Sequence, residues 1–251
     1  MFKVTIKPKS SFITELSSST IFGAACWAIK DIYGEDKLSK VFEDNNALAF
    51  SNAFIKDCIP TGHTKKDELK NIKTGKCVKQ KHEKYRIDHC MIDRNTNTSA
   101  KQWVGYERFE KSEFDIYVAS ELFNKEEINK IFEIMLMKGI GRARNKGKGQ
   151  FEFISIEEIN IRELGDKEAN AYMVISDYIP NEKDSTIGKY SARVINRTTV
   201  KGEKCAPVYV LNAGSKFIGK VDGEIIGRLQ YDEATGTYLS GRAIAIPIKV
   251  N

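Results

Sequence analysis

Four glycines and four cations fall within twelve residues: Gly139, Ile140, Gly141, Arg142, Ala143, Arg144, Asn145, Lys146, Gly147, Lys148, Gly149 and Gln150, with no acid among them. Glycine admits positive φ and close approach, so successive N–H groups can face an anion. Arg142 and Arg144 carry planar forks that grip phosphate oxygens bidentately, while Lys146 and Lys148 add point charge. The stretch does not follow a strand and open a helix, as a dinucleotide fingerprint must, and Gly147-Lys148 leads into Gly149 where a P-loop needs Ser or Thr. A phosphate backbone therefore suits it better than a nucleotide. The competing reading is a solvated linker, which draws on the same residue types.

A second concentration of charge lies upstream. Residues 56–111 hold 14 Lys and Arg against 8 Asp and Glu, a surplus of 6 that equals the formal net charge of the whole chain. All three histidines, His63, His82 and His89, share the window with Tyr85, Trp103 and Tyr106. Cations interleaved with rings fit RNA, whose bases stack on aromatics or Arg planes while phosphates meet Lys and Arg. Arg86, His89, Arg94, Lys101 and Trp103 are the candidate contacts there. A solvated charged insertion is the plainer alternative. A third candidate is Ser17-Ser18-Ser19-Thr20, which opens a helix whose free N–H groups favour phosphate; capping a core helix explains the same residues.

Catalysis has weaker support. Proton transfer at a 2′-OH needs a positioned acid–base group, yet residues 1–25 contain no His. Asp88, His89 and Asp93 are the one candidate set, keeping metal-independent RNA cleavage as an alternative. Cys58, Cys77 and Cys90 share the window with the histidines, but without a Cys-x2-Cys pair, so no metal or cofactor is expected.

These residues need elements to position them. Phe2, Val4 and Ile6 alternate with polar neighbours as a strand; residues 21–32 follow as a helix with Gly34 as its stop. Residues 48–59 read as strand and turn, and 63–102 as a long, poorly patterned insertion that orders on RNA. Phe114, Ile116 and Val118 form a strand, and residues 125–138 an amphipathic helix burying Ile128, Ile131, Phe132 and Met135. After the basic stretch comes a strand at Phe151. The order is β-α-β-β-α-β with an insertion between the middle strands.

Beyond Ser155 the pattern changes to short strands at 171–175, 208–211, 217–218 and 243–250, cut by turns at Asn212-Ala213-Gly214, Val221-Asp222-Gly223 and Ala234-Thr235-Gly236. Pro247 implies a free edge or a bulge. The chain divides at about residue 155 into a first domain, with its insertion at about 60–105, and a smaller β-rich domain over 156–251. At 251 residues, 41% hydrophobic and 29% charged, it describes a soluble globular protein without an apolar run of membrane-spanning length. Five scattered cysteines suit a reducing compartment, so a cytoplasmic location is expected.

Four segments together resemble a known family. They are Ser18-Ser19-Thr20-Ile21-Phe22-Gly23-Ala24-Ala25-Cys26-Trp27-Ala28, residues 92–98 leading to Tyr106-Glu107-Arg108-Phe109, the loop 139–153, and Gly241-Arg242-Ala243-Ile244-Ala245-Ile246-Pro247-Ile248. The combination is similar to the RAMP superfamily of type III CRISPR effectors, in its Cas-five group, and within it to the fourth-subunit family of the Csm (type III-A) complex. The resemblance implies an α+β protein of tandem ferredoxin-like domains whose insertion forms a thumb-like hairpin. It implies a non-catalytic subunit that grips the 5′ handle of the CRISPR RNA and links the large polymerase-like subunit to the backbone RAMP filament, with target RNA near the thumb. It places the glycine-rich loop, the Ser-Thr cap and parts of the insertion on the guide. A purely structural interaction subunit is the remaining alternative.

Overall fold

The computed structural model describes residues 1–62, 68–79, 83–182, 184, 187–197, 199, 202–218 and 225–250, with the side chain of Trp103 outside that set. The chain opens with strand β1 (Phe2–Pro8) and helix α1 (Ser18–Glu43). Ser17 caps α1: its Oγ accepts the Thr20 N–H at 3.4 Å. Gly34, at φ 80° and ψ −175°, breaks the helix as expected, but the chain then resumes helical geometry to Glu43 because Val41 buries in the core. Strands β2 (Ala49–Phe50), β3 (Phe54–Ile55) and β4 (Cys58–Pro60) follow.

The described residues of the insertion form strands in two parts. Its first part pairs β4 with β5 (Glu68–Asn71) and β5 in turn with β6 (Cys77–Lys79), burying Leu69, Cys58 and Ile59. Its second part is a long two-stranded hairpin of β7 (Glu83–Ile92) and β8 (Ser99–Phe109) with a register shift between Met91 and Ile92. Both faces of this hairpin are largely exposed. A ribbon that buries neither face leaves no period-two hydrophobic pattern to read, which is why the sequence there looks unstructured.

Next come β9 (Phe114–Ala119), helix α2 (Lys125–Lys138) and β10 (Phe151–Glu158). Helix α2 carries a capping box, in which Asn124 Oδ1 accepts the Glu127 N–H and Glu127 Oε2 accepts the Asn124 N–H. It buries Ile128, Ile131, Phe132, Met135 and Leu136 against β1 and α1 in one core. The sheet runs β10-β1-β9-β2 with all neighbours antiparallel and β3 beside β9. That is the order fourth, first, third, second for a β-α-β-β-α-β unit, as the sequence pattern requires.

The second half consists of β11 (Ala171–Val174), β12 (Gly188–Lys189), β13 (Ala192–Ile195), β14 (Val208–Leu211), β15 (Lys216–Ile218), β16 (Ile225–Ile226), β17 (Leu229–Asp232), β18 (Thr237–Ser240) and β19 (Ala243–Ile248). No α-helix follows Lys138 among the described residues. A sheet of order β12-β15-β11-β19-β16 is flanked by hairpins β13–β14 and β17–β18. The 234–236 turn joins β17 to β18, whereas 221–223 lies outside the described residues. All of β19 is buried because both faces are covered: Ile244, Ile246 and Ile248 meet Ala49, Phe54 and Tyr117 of the first half, while Ala243 and Ala245 pack near Tyr172 and Phe217. β16 pairs only with Ile244 and Ala243, leaving the far side of Pro247 unpaired by strand, where its missing N–H costs nothing. The whole is α+β, with the two sheets sharing an apolar core.

Candidate nucleic-acid interface

The glycine-rich stretch begins as the C-cap of α2 and closes on itself. Ile140 is buried, and its N–H donates to the Gly149 carbonyl at 2.8 Å. Gly149 sits at φ +68° and so close that a Cβ would lie 2.1 Å from the Ile140 carbonyl oxygen, so glycine is required there by both conformation and space. Gly139 is likewise hemmed in by Gln150, and Gly141 by Thr14. Between them Arg144–Lys146 forms a 3-10 turn flanked by left-handed Ala143 and Gly147. Arg142, Arg144 and Lys146 project into solvent. An open cleft lies alongside, lined by Lys138, Gly141, Ala143, Arg144 and Asn145.

The fourth cation is used differently. Lys148 Nζ donates to Glu107 Oε2 at 2.6 Å and to Ser11 Oγ at 3.0 Å, and Ser11 Oγ donates to the same Glu107 oxygen. Glu107 is buried, which works against its charge, yet the Lys148 and Ser11 contacts together hold its carboxyl below the usual glutamate range. Lys148 thus joins the loop to β8.

The segment between β1 and α1, residues 9–17, ties these pieces together. Lys9 N–H donates to the Gln150 carbonyl, Gly149 N–H to the Ser11 carbonyl, and Arg142 N–H to Thr14 Oγ1. Phe12 exchanges both backbone hydrogen bonds with Arg108 at 2.8 Å, fixing the foot of the hairpin. The only sequence signal for this junction is the polar pair Ser10-Ser11, and nothing in it points to Glu107.

Along the hairpin, residues paired across the strands share a face. Arg86 pairs with Tyr106 on one face; His89, and Met91 paired with Lys101, lie on the other. Arg94 sits in the turn at the far end. The hairpin candidates therefore lie on two faces and the tip. The His89 ring lies over Gly105, where a Cβ would meet Nε2 at 2.7 Å.

The α1 N-terminus is occupied from within. Ser17 and Ser18 are buried; Ser18 N–H donates to Asn52 Oδ1, and its Oγ accepts the Asp177 N–H. Ser19 Oγ donates to Asp177 Oδ2, and Thr20 Oγ1 lies 3.1 Å from Ser17 Oγ. Asp177 is itself buried and gripped by Arg193 at 2.7 and 2.9 Å. Burial pushes its carboxyl above the usual range although Arg193 opposes the shift. The anion at this helix start is the chain's own carboxylate, so Ser17 and Ser18 have no free surface to offer a phosphate. No local signal marks Asp177, which lies 158 residues from Ser19.

The acid–base candidates are not assembled. Asp88 and His89 are consecutive on β7 and point to opposite faces; Asp88 pairs with Arg86, and Asp93 Oδ1 accepts the Asn95 N–H in the turn. Cys58, Cys77 and Cys90 lie on three separate strands, and among the described residues no three His, Cys, Asp or Glu groups converge as a metal site. His63 and His82 lie outside the described residues. No described helix is long and apolar enough to cross a membrane.

No protein-family model matches the sequence, and no curated protein matches it. Solved structures do. A chain of the Csm3–Csm4 subcomplex of a type III-A CRISPR-Cas interference complex aligns over 100% of both chains at TM-score 0.68 and 17% identity. Chains of the Csm1–Csm4 cassette in complex with cA4 and with AMPPNP align over 100% of this chain and 99% of theirs at TM-scores of 0.62 and 0.61, each at 15% identity. At these identities the likeness establishes architecture alone: from end to end, the chain shares the fold of these chains from Csm3–Csm4 and Csm1–Csm4 assemblies.

Proposed function

We propose that the chain is a non-catalytic RNA-binding subunit of a type III-A CRISPR effector complex, gripping the 5′ handle of the CRISPR RNA and linking the large polymerase-like subunit to the backbone RAMP filament. The observation that carries the proposal is the exposed cationic turn of Arg142, Arg144 and Lys146, held against the hairpin foot by Lys148 and Glu107. Fold likeness to chains taken from Csm3–Csm4 and Csm1–Csm4 assemblies supports the two partner subunits. On this reading the loop meets guide phosphates, and Arg86, His89, Arg94, Lys101 and Trp103 make the hairpin a thumb beside guide or target RNA. Residues 1–155 and 156–251 act as two domains of tandem ferredoxin-like ancestry, the second reduced to sheets.

The test is co-expression with the two partner subunits and a CRISPR array. Recovery of one assembly containing the chain, both partners and a guide RNA that crosslinks to residues 139–150 supports the proposal. An assembly in which the crosslinks avoid this chain favours the structural-subunit reading. Guide cleavage by the purified chain favours the nuclease reading.

A further inference from the structure

Trp27 is 56% exposed, although it lies within the first turns of a helix whose other large apolar residues are buried or partly buried. The buried face of α1 runs through Ile21, Phe22, Ala25, Ala28 and Ile29, and the indole stands off it. Its neighbours one turn away on the same side define where it stands. Toward the N-terminus is Gly23, exposed, with nothing within 4 Å of the position a Cβ would take, so the indole has open space beside it. Toward the C-terminus is Asp31, paired with Lys138, the last residue of α2. Lys138 borders the cleft formed with Gly141, Ala143, Arg144 and Asn145. The residue one turn from Trp27, Asp31, is therefore tied through Lys138 to the rim of the cationic loop.

A flat, large ring left in water next to exposed cations is the arrangement single-stranded RNA uses: phosphates follow the charge while a base stacks on the ring. An apolar protein partner would find Lys30 and Asp31 on the next turn of the same helix, and Lys138 paired to Asp31, charges that an interface core tends to exclude. We infer that Trp27 is a stacking platform for a nucleobase of the RNA strand whose phosphates lie on Arg142, Arg144 and Lys146. This inference rests on the RNA-binding reading and names a contact outside the loop and the hairpin.

The experiment measures binding of a labelled CRISPR RNA carrying its 5′ handle to the full chain and to its Trp27→Ala, Trp27→Tyr and Arg144→Ala variants, across a salt series. Trp27→Ala should weaken binding about 5- to 150-fold, the range for losing one stacked base, with an unchanged salt slope because every cation still meets its phosphate. Trp27→Tyr should recover most of that loss, and neither variant should shift the melting temperature by more than a degree or two. Arg144→Ala should instead flatten the slope. If Trp27→Ala binds RNA as the parent does while Arg144→Ala is impaired, the stacking role is wrong and the RNA-binding reading survives. Loss of a partner subunit with RNA affinity intact would likewise overturn it in favour of a protein contact. If the parent chain binds no RNA, both readings fall together.

Discussion

Lys148 Nζ stands 2.6 Å from Glu107 Oε2, so the last cation of the glycine-rich loop belongs to the hairpin foot. Composition makes the four loop cations equivalent, whereas the fold assigns three to solvent and one to a buried carboxylate.

Replacing Arg142, Arg144 and Lys146 together by Ala should leave the melting temperature nearly unchanged, since all three are exposed. It should flatten the salt dependence of RNA affinity by about 0.7 log unit for each phosphate of a single strand that is no longer neutralised. Lys148→Ala should do the reverse, with little change of slope and a clear loss of stability. Equal slopes for both variants would dissolve the distinction.

The clamp carries a pH signature. Glu107 has a lowered pKa in the folded protein, so its contribution is present above the unfolded glutamate value of about 4.3 and is lost as pH falls through the lower folded value. Denaturant titrations should find Glu107→Gln less stable by about 1–3 kcal/mol at pH 7, with the gap closing toward pH 3. A gap that stays constant with pH would mean the carboxylate's charge is immaterial.

Two glycines of the loop should respond differently to alanine. Gly147 has φ +74° and open space around it, so Gly147→Ala carries only the left-handed penalty of about 1–2 kcal/mol. Gly149→Ala adds a clash with the Ile140 backbone and should cost on the order of 3 kcal/mol or more. Thermal melts of the pair check this, and similar losses would indicate that the Gly139–Gly149 closure gives way easily.

Shortening the hairpin separates its fold from its function. The Tyr85–Glu107 pair stays if the ladder is cut at the Arg86–Tyr106 pair and closed by Asn-Gly. Among the described residues beyond that point none is fully buried, so stability should change by less than about 1 kcal/mol, while RNA affinity should fall. Unaltered affinity would remove Arg86, His89, Arg94, Lys101 and Trp103 from the interface at one stroke.

Legibility in the sequence follows burial. β1 and α2 pack an apolar face on one core, and β9 turns Phe114, Ile116 and Val118 to the same core while its reverse face is buried by the second half, so the periodicity names these inward residues correctly, down to Ile128, Ile131, Phe132 and Met135. The short strands β12, β13, β16, β17 and β18 run two to four residues, too few for any period to emerge. For the candidate site, the loop's composition reveals its location but does not distinguish Lys148 from Lys146, because Glu107 is 41 residues away and reached only through the fold. The capping serines leave an anion site open beside the plain helix cap for the same reason: Asp177 arrives from the other half of the chain.

The junction at residues 9–17 gives the candidate interface a mechanical character. Cationic turn, hairpin foot and the start of α1 all hang on one short covalent span through main-chain bonds to Gln150, Gly149 and Arg108. Such a device resembles a caliper with its jaws locked, more than a hand that closes. On the RNA-binding reading, a strand that docks on it meets contacts already fixed by these main-chain bonds, and the protein forfeits little freedom on occupancy.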